Sequence, residues 1–173
     1  MAYLLATLVR LAIGKSPELI CSTDIWDAGV TELHRRTFGR RESGAFLLGK
    51  KGRTRRIEKF VFYDDIDPGA LDSGIVIIDG RRLGALWAHC RDTGYEVVAD
   101  VHVHPRGYRQ SKSDKANPII AEKGHVALIL PDFAKGSNQP GKIGVFRYLG
   151  DRKWSDQSAT LFSPLHLGWW PWR

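Results

Sequence analysis

The sequence predicts a mixed α/β fold (α+β in its layering): a mixed, largely antiparallel β-sheet flanked by helices. Two observations carry this. Apolar runs of strand length recur at Ser43–Lys50, Arg56–Tyr63, Glu96–His104 and His125–Leu130. Between them lie segments whose apolar residues fall at three- and four-residue steps, the helical period. Hairpins thus mix with intervening helices, an order that packs helices onto one sheet.

The elements follow in chain order. Leu4–Ile13 is apolar and reads as a strand or a short helix. Ser22-Thr23-Asp24 is an N-cap region. It opens a helix to about Arg36 with Trp26, Val30 and Leu33 on one face. Ser43–Lys50 and Arg56–Tyr63 form a hairpin around the turn Lys51-Gly52-Arg53. Asp64–Ser73 is a polar loop with the turn signal Asp67-Pro68-Gly69, and Gly74–Ile78 reads as a strand. A helix follows Gly80, with Leu83, Leu86, Trp87 and Cys90 on one stripe. Glu96–His104 is a strand and Pro105–Gln110 a loop. A helix follows Asp114 and ends at Gly124, and His125–Leu130 is a buried strand. Lys142–Leu149 and part of Lys153–Phe162 add β structure.

A chain of 173 residues with 43% apolar residues fits one globular domain. We place that domain at 1–163, followed by a Trp-rich tail, 164–173. The two cysteines, Cys21 and Cys90, form no CxxC pair or disulfide framework and read as free thiols of a reducing cytoplasm. The N-terminal run Met1–Ile13 is apolar but holds Arg10 and is too short to span a bilayer. The net charge of +7 comes in bursts, Arg35–Arg41, Lys50–Arg56 and Arg106–Lys112. These suit solvated turns or an acidic partner. No aromatic-interleaved RNA signature or recognition helix accompanies them, so nucleic acid is not expected.

The chemistry concentrates in His102-Val103-His104-Pro105. Side chains alternate across a strand, so both imidazoles project from one face and can share a metal ion. Pro105 ends the pairing and turns the chain. Ten residues after His104, Asp114 supplies a carboxylate. Two His and one Asp leave a fourth tetrahedral position open, as catalytic zinc requires. By itself the HxH pair is a weak signal, and a lone Asp near a helix start is ordinarily a cap. Other metal folds fit less well. A zinc deaminase needs a PCxxC element, an HxHxDH site fails at Arg106-Gly107, and no HExxH helix is present.

The run His102-Val103-His104-Pro105 with Ser111-Lys112-Ser113-Asp114 resembles the JAMM (MPN+) signature, HxHP followed by SxxD. Glu42-Ser43-Gly44-Ala45-Phe46-Leu47-Leu48-Gly49 looks like the glutamate element that precedes it in that family. The resemblance covers roughly Ile25 to Tyr148. It implies a JAB/MPN-like fold with cytidine-deaminase-like layering. It also implies Zn²⁺ held by His102, His104 and Asp114, Glu42 as general base and then acid, and Ser111 as a donor to the oxyanion. Two features depart from the family. Six residues, Pro105–Gln110, separate the second histidine from the serine, where seven are common. The strand approach is Ala99-Asp100-Val101, without the aromatic frequent in eukaryotic members.

The resemblance further implies an isopeptidase or peptidase that cuts after the C-terminus of a ubiquitin-like protein. The compact form is similar to prokaryotic members, some of which act beside E1-like and E2-like proteins in antiphage operons. The alternatives on the same fold are a non-catalytic MPN scaffold and a sulfur-carrier or small-molecule amidohydrolase.

Overall fold

The computed structural model describes residues 7–9, 16–50, 52–158 and 163–170. The predicted N-terminal element Leu4–Ile13 lies outside them except for Thr7–Val9. The fold is a mixed α/β arrangement around one eight-stranded, mostly antiparallel sheet.

The strands are β1 (Leu19–Cys21), β2 (Gly44–Lys50), β3 (Arg55–Phe62), β4 (Glu96–Val103), β5 (Val126–Leu130), β6 (Gly144–Gly150), β7 (Lys153–Asp156) and β8 (Leu165–Leu167). Their spatial order is β7-β6-β5-β4-β2-β3-β1-β8. Among the described residues after Thr7–Val9, the α-helices are α1 (Thr23–Thr37), α2 (Tyr63–Ile66), α3 (Gly84–Thr93) and α4 (Lys112–Ala116).

Alternation along the central strands sorts side chains onto two faces. Ala45, Leu47, Ala99, Val101, Val103, Leu128 and Leu130 pack with Trp26 and Leu33 of α1. Phe46 and Leu48 point the other way, into a second cluster with Tyr63, Leu71 and Leu86 of α3. Each fully buried Leu contributes about 1.5–3 kcal/mol relative to an exposed one. Ser22 caps α1: its hydroxyl accepts the Ile25 N–H at 3.3 Å.

Several expectations need correction. Gly74–Ile78 bends at Gly74 and Ile75 and pairs with none of the described strands. Both edges of β2 are already taken by β3 and β4, and Val76 and Ile78 pack instead onto the Phe46 cluster. Trp87 is not on the buried stripe of α3; it is exposed, while Leu86 is fully buried. The expected loop Asp64–Ser73 begins with a helical turn, α2, and buries Ala70 and Leu71. The helix expected from Asp114 to Gly124 is α4, which starts earlier and stops at Ala116. Asn117 precedes Pro118, and the proline ring disfavours helical backbone in the residue before it. Strand β7 ends at Asp156; the remaining expected β structure includes Ala159–Phe162, which lies outside the described residues. From the Trp-rich tail, Leu165–Leu167 joins the sheet parallel to β1. Trp170 is buried and Trp169 exposed. Among the described residues no helix is long and apolar enough to cross a membrane.

Candidate metal centre

The centre begins at the end of β4. Asp100, His102 and His104 occupy alternate positions and share one face. In the antiparallel ladder Phe46 lies opposite Asp100, and Gly44 opposite His102. A Cβ at Gly44 would run into the Tyr63 ring and the Val101 carbonyl, so the close approach there requires glycine.

The same register carries Glu42 to the site. The Val103 N–H donates to the Ser43 carbonyl at 2.9 Å, which prolongs the pairing of the two strands. Two residues beyond Gly44, Glu42 therefore faces His104, with Oε1 3.9 Å from Nε2. Its other oxygen accepts the Val76 N–H at 3.2 Å, and its own N–H donates to the Gly74 carbonyl at 2.9 Å. The unpaired segment from Gly74 thus aims the carboxylate.

Asp114 enters from α4. Ser111 is the N-cap: its Oγ accepts the Asp114 N–H at 3.1 Å, and its N–H donates to Asp114 Oδ2 at 2.6 Å. This reciprocal capping box fixes the carboxylate by local hydrogen bonds. Asp114 is the third residue of α4 rather than its start.

His102, His104 and Asp114 can hold a metal ion, because their ligand atoms all lie within 4.8 Å of one another. The two Nε2 atoms stand 3.0 Å apart. His102 Nε2 is 3.6 Å from Asp114 Oδ1, and His104 Nε2 is 3.3 Å from Asp114 Oδ2. Tetrahedral zinc with bonds near 2.05 Å needs ligand–ligand edges of about 3.3 Å. The three separations bracket that value, and the donor set of two imidazoles and a carboxylate suits the ion.

Charge is balanced within the cluster. Burial opposes a proton on His102. The hydrogen bond and charge of Asp114, with Asp100 and Glu42 behind it, outweigh burial and hold the imidazole pKa above its usual value. Burial pushes the Asp114 pKa up, but hydrogen bonds from His102 and His104 win and hold it well below the usual carboxylate range.

The cluster opens into a cleft of about 470 Å³. Ser111, Ser113 and Gln110 line one side; Ile75, Val76, Ile77, Ile78 and Leu83 form an apolar wall. Trp154 closes another part, with its indole N–H donating to the Lys115 carbonyl at 3.2 Å. Of the five residues expected at the site, Glu42, His102, Ser111 and Asp114 line the cleft, while His104 is buried behind it, against Glu42 and Asp114. The remaining histidines have other engagements: His34 with the Phe133 carbonyl, His89 with Lys59, His125 with Asp100, and His166 with the Trp169 carbonyl.

Sequence reading missed Asp100, which lines the cleft and joins Tyr63 and His125 in a buried network. Its phase with the two histidines, two and four residues ahead, was the available signal.

No family model matches the sequence. The fold is similar to the solution structure of protein DSY2949 from Desulfitobacterium hafniense. The identity is 17% and the TM-score 0.61, over 86% of this chain and 92% of that one. It is also similar to the solution structure of a protein from Salinibacter ruber (strain DSM 13855), at 19% identity and TM-score 0.53. That match covers 80% of this chain and 88% of the other. At such identities the likeness concerns the fold alone.

Proposed function

We propose that this chain is a JAMM-type zinc hydrolase with JAB/MPN-like layering, acting on the bond after the C-terminus of a ubiquitin-like protein. The observation that carries the reading is the convergence of three metal-donor side chains with a separately held carboxylate, Glu42 Oε1, 3.9 Å from His104 Nε2. His102, His104 and Asp114 would hold a zinc ion, which would supply Lewis acidity toward a scissile carbonyl and make the attacking water more acidic.

The remaining work falls to the protein's own groups. Glu42 Oε1 takes the proton from the attacking water and returns it to the leaving amine; Oε2 stays anchored on the Val76 amide. Ser111 Oγ accepts the Asp114 N–H, which leaves the hydroxyl proton to donate to the developing oxyanion. The wall from Ile75 to Ile78 belongs to no ladder of the described strands, and its Val76 and Ile77 N–H groups are held by Glu42 and the Ala70 carbonyl. A narrow, extended tail laid against it gains apolar contact with Ile75, Val76, Ile77 and Ile78. Arg106, Arg109 and Lys112 are exposed beside the site and suit an acidic surface on the folded part of the modifier or on its E1-like and E2-like companions. The free thiols Cys21 and Cys90 agree with a cytoplasmic setting.

The test pairs metal content with cleavage. The full chain is expected to bind about one zinc per molecule and to cleave a ubiquitin-like fusion, with loss on chelation. Glu42→Gln is expected to keep the zinc and lose about 10²–10⁴ in rate. Cleavage that survives both chelation and Glu42→Gln refutes the proposal.

A further inference from the structure

Three consecutive non-glycine residues, Asp132, Phe133 and Ala134, have φ of 52, 55 and 61°. In this left-handed region Cβ crowds the following carbonyl, so L-residues seldom enter it in succession. Such a turn persists only where its surroundings over-determine it, and strained backbone of this kind clusters at functional sites.

The turn grips His104. The β4 ladder ends at Val103, opposite Leu130. Beyond it, the His104 N–H donates to the Leu130 carbonyl at 2.9 Å, and the His104 carbonyl accepts the Phe133 N–H at 2.8 Å. These two bonds hold the main chain of a metal-donor residue just past the last paired position.

The turn is held in its own right by α1. His34 Nδ1 lies 2.8 Å from the Phe133 carbonyl. A carbonyl only accepts, so Nδ1 carries the proton. One loop further, the Trp26 indole N–H donates to the Asn138 carbonyl at 3.0 Å, and Asn138 Nδ2 donates to the Ala134 carbonyl at 2.8 Å. Trp26 and His34 are eight residues apart, which places them on one face of α1. That face therefore grips the left-handed turn from the side opposite the cleft.

We propose that His34 is a positioning residue for the metal centre. It fixes the main chain of Phe133 at its carbonyl, and the N–H of the same residue holds the His104 carbonyl. This rests on the metal reading of His102, His104 and Asp114. Groups hydrogen-bonded directly to a metal-binding side chain typically change metal affinity by about 10- to 100-fold when removed, and His34, acting through Phe133, is expected near the lower bound.

The experiment uses the full chain and two nearly isosteric variants, His34→Leu and His34→Asn. The asparagine amide reaches close to the place of Nδ1 and restores a donor; leucine does not. Zinc affinity is measured by competition with a chromophoric chelator, and the Co²⁺ absorption spectrum reports ligand geometry. His34→Leu is expected to bind zinc at least about tenfold more weakly, with an altered Co²⁺ spectrum. His34→Asn is expected to return close to wild type in both. His89→Ala, remote from the turn, is expected to change neither. Equal affinity in His34→Leu and wild type overturns the proposal. So does an Asn variant as weak as Leu, which reduces His34 to packing. A wild-type protein that takes up no zinc overturns the metal reading itself and the positioning role with it.

Discussion

Asp100 Oδ1 and His125 Nε2 meet at 2.5 Å in the interior, two residues along β4 from His102. Asp100 Oδ2 accepts the Tyr63 hydroxyl at 3.2 Å. The one Asp100 side chain thus satisfies the ring of His125, just before β5, and a phenol from α2, on the same face of β4 as His102. Burial first, and the Asp100 charge second, push the Tyr63 pKa well above its ordinary value, so the phenol remains a donor.

Removing one partner of a buried hydrogen-bonded pair leaves the other unsatisfied, at about 1–3 kcal/mol. Asp100→Ala is therefore expected to destabilise the protein by about that amount in urea unfolding. In the His125→Ala background the same substitution is expected to cost clearly less. Equal costs in the two backgrounds mean that the pair is not coupled.

Zinc binding is expected to depend on pH through His102. Its pKa stands above the ordinary 6.5 before metal binds, and Nε2 holds either the proton or the ion. Affinity is then full above the His102 pKa. It falls up to about tenfold per pH unit, per proton displaced, as pH drops through it. Asp114, held well below the usual carboxylate range, adds no loss at mildly acidic pH. Without metal the sign reverses for folding: the His102–Asp114 interaction contributes stability below about 6.5 and loses it as pH rises through the raised folded value. A zinc dissociation constant that stays flat from about pH 5.5 to 8 contradicts this.

The β6–β7 hairpin closes through Asp151 and Arg152, with φ of 51 and 58° and Gly150 paired to Lys153. Left-handed backbone at both central residues is the type I′ turn, which prefers glycine at the second position. Arg152→Gly relieves the Cβ crowding while keeping the Arg152 N–H that donates to the Tyr148 hydroxyl at 3.1 Å. We expect a gain of about 0.5–1 kcal/mol in urea unfolding, with zinc affinity unchanged. A loss of stability shows that the arginine side chain matters more than its backbone.

Local features of the site were legible because local spacing sets them. The two-residue step of His102 and His104 determines their common face. The three-residue step of Ser111 and Asp114 determines the capping box that fixes the carboxylate. Where a local rule was misread, as at Asn117-Pro118, the expected helix ran too long. Gly74–Ile78 fails for another reason: its pattern suits a strand, but β2 has no free edge to offer it.

The sequence by itself determined the strand and helix alternation, the paired histidines and the carboxylate ten residues on, since each depends on neighbours in the chain. Only the tertiary structure decided that Glu42 faces His104, because that rests on the β2–β4 register with Gly44 opposite His102, across more than fifty residues. It also decided the left-handed turn behind His104, which no local preference favours and which His34 of α1, the His104 carbonyl and Asn138 hold in place.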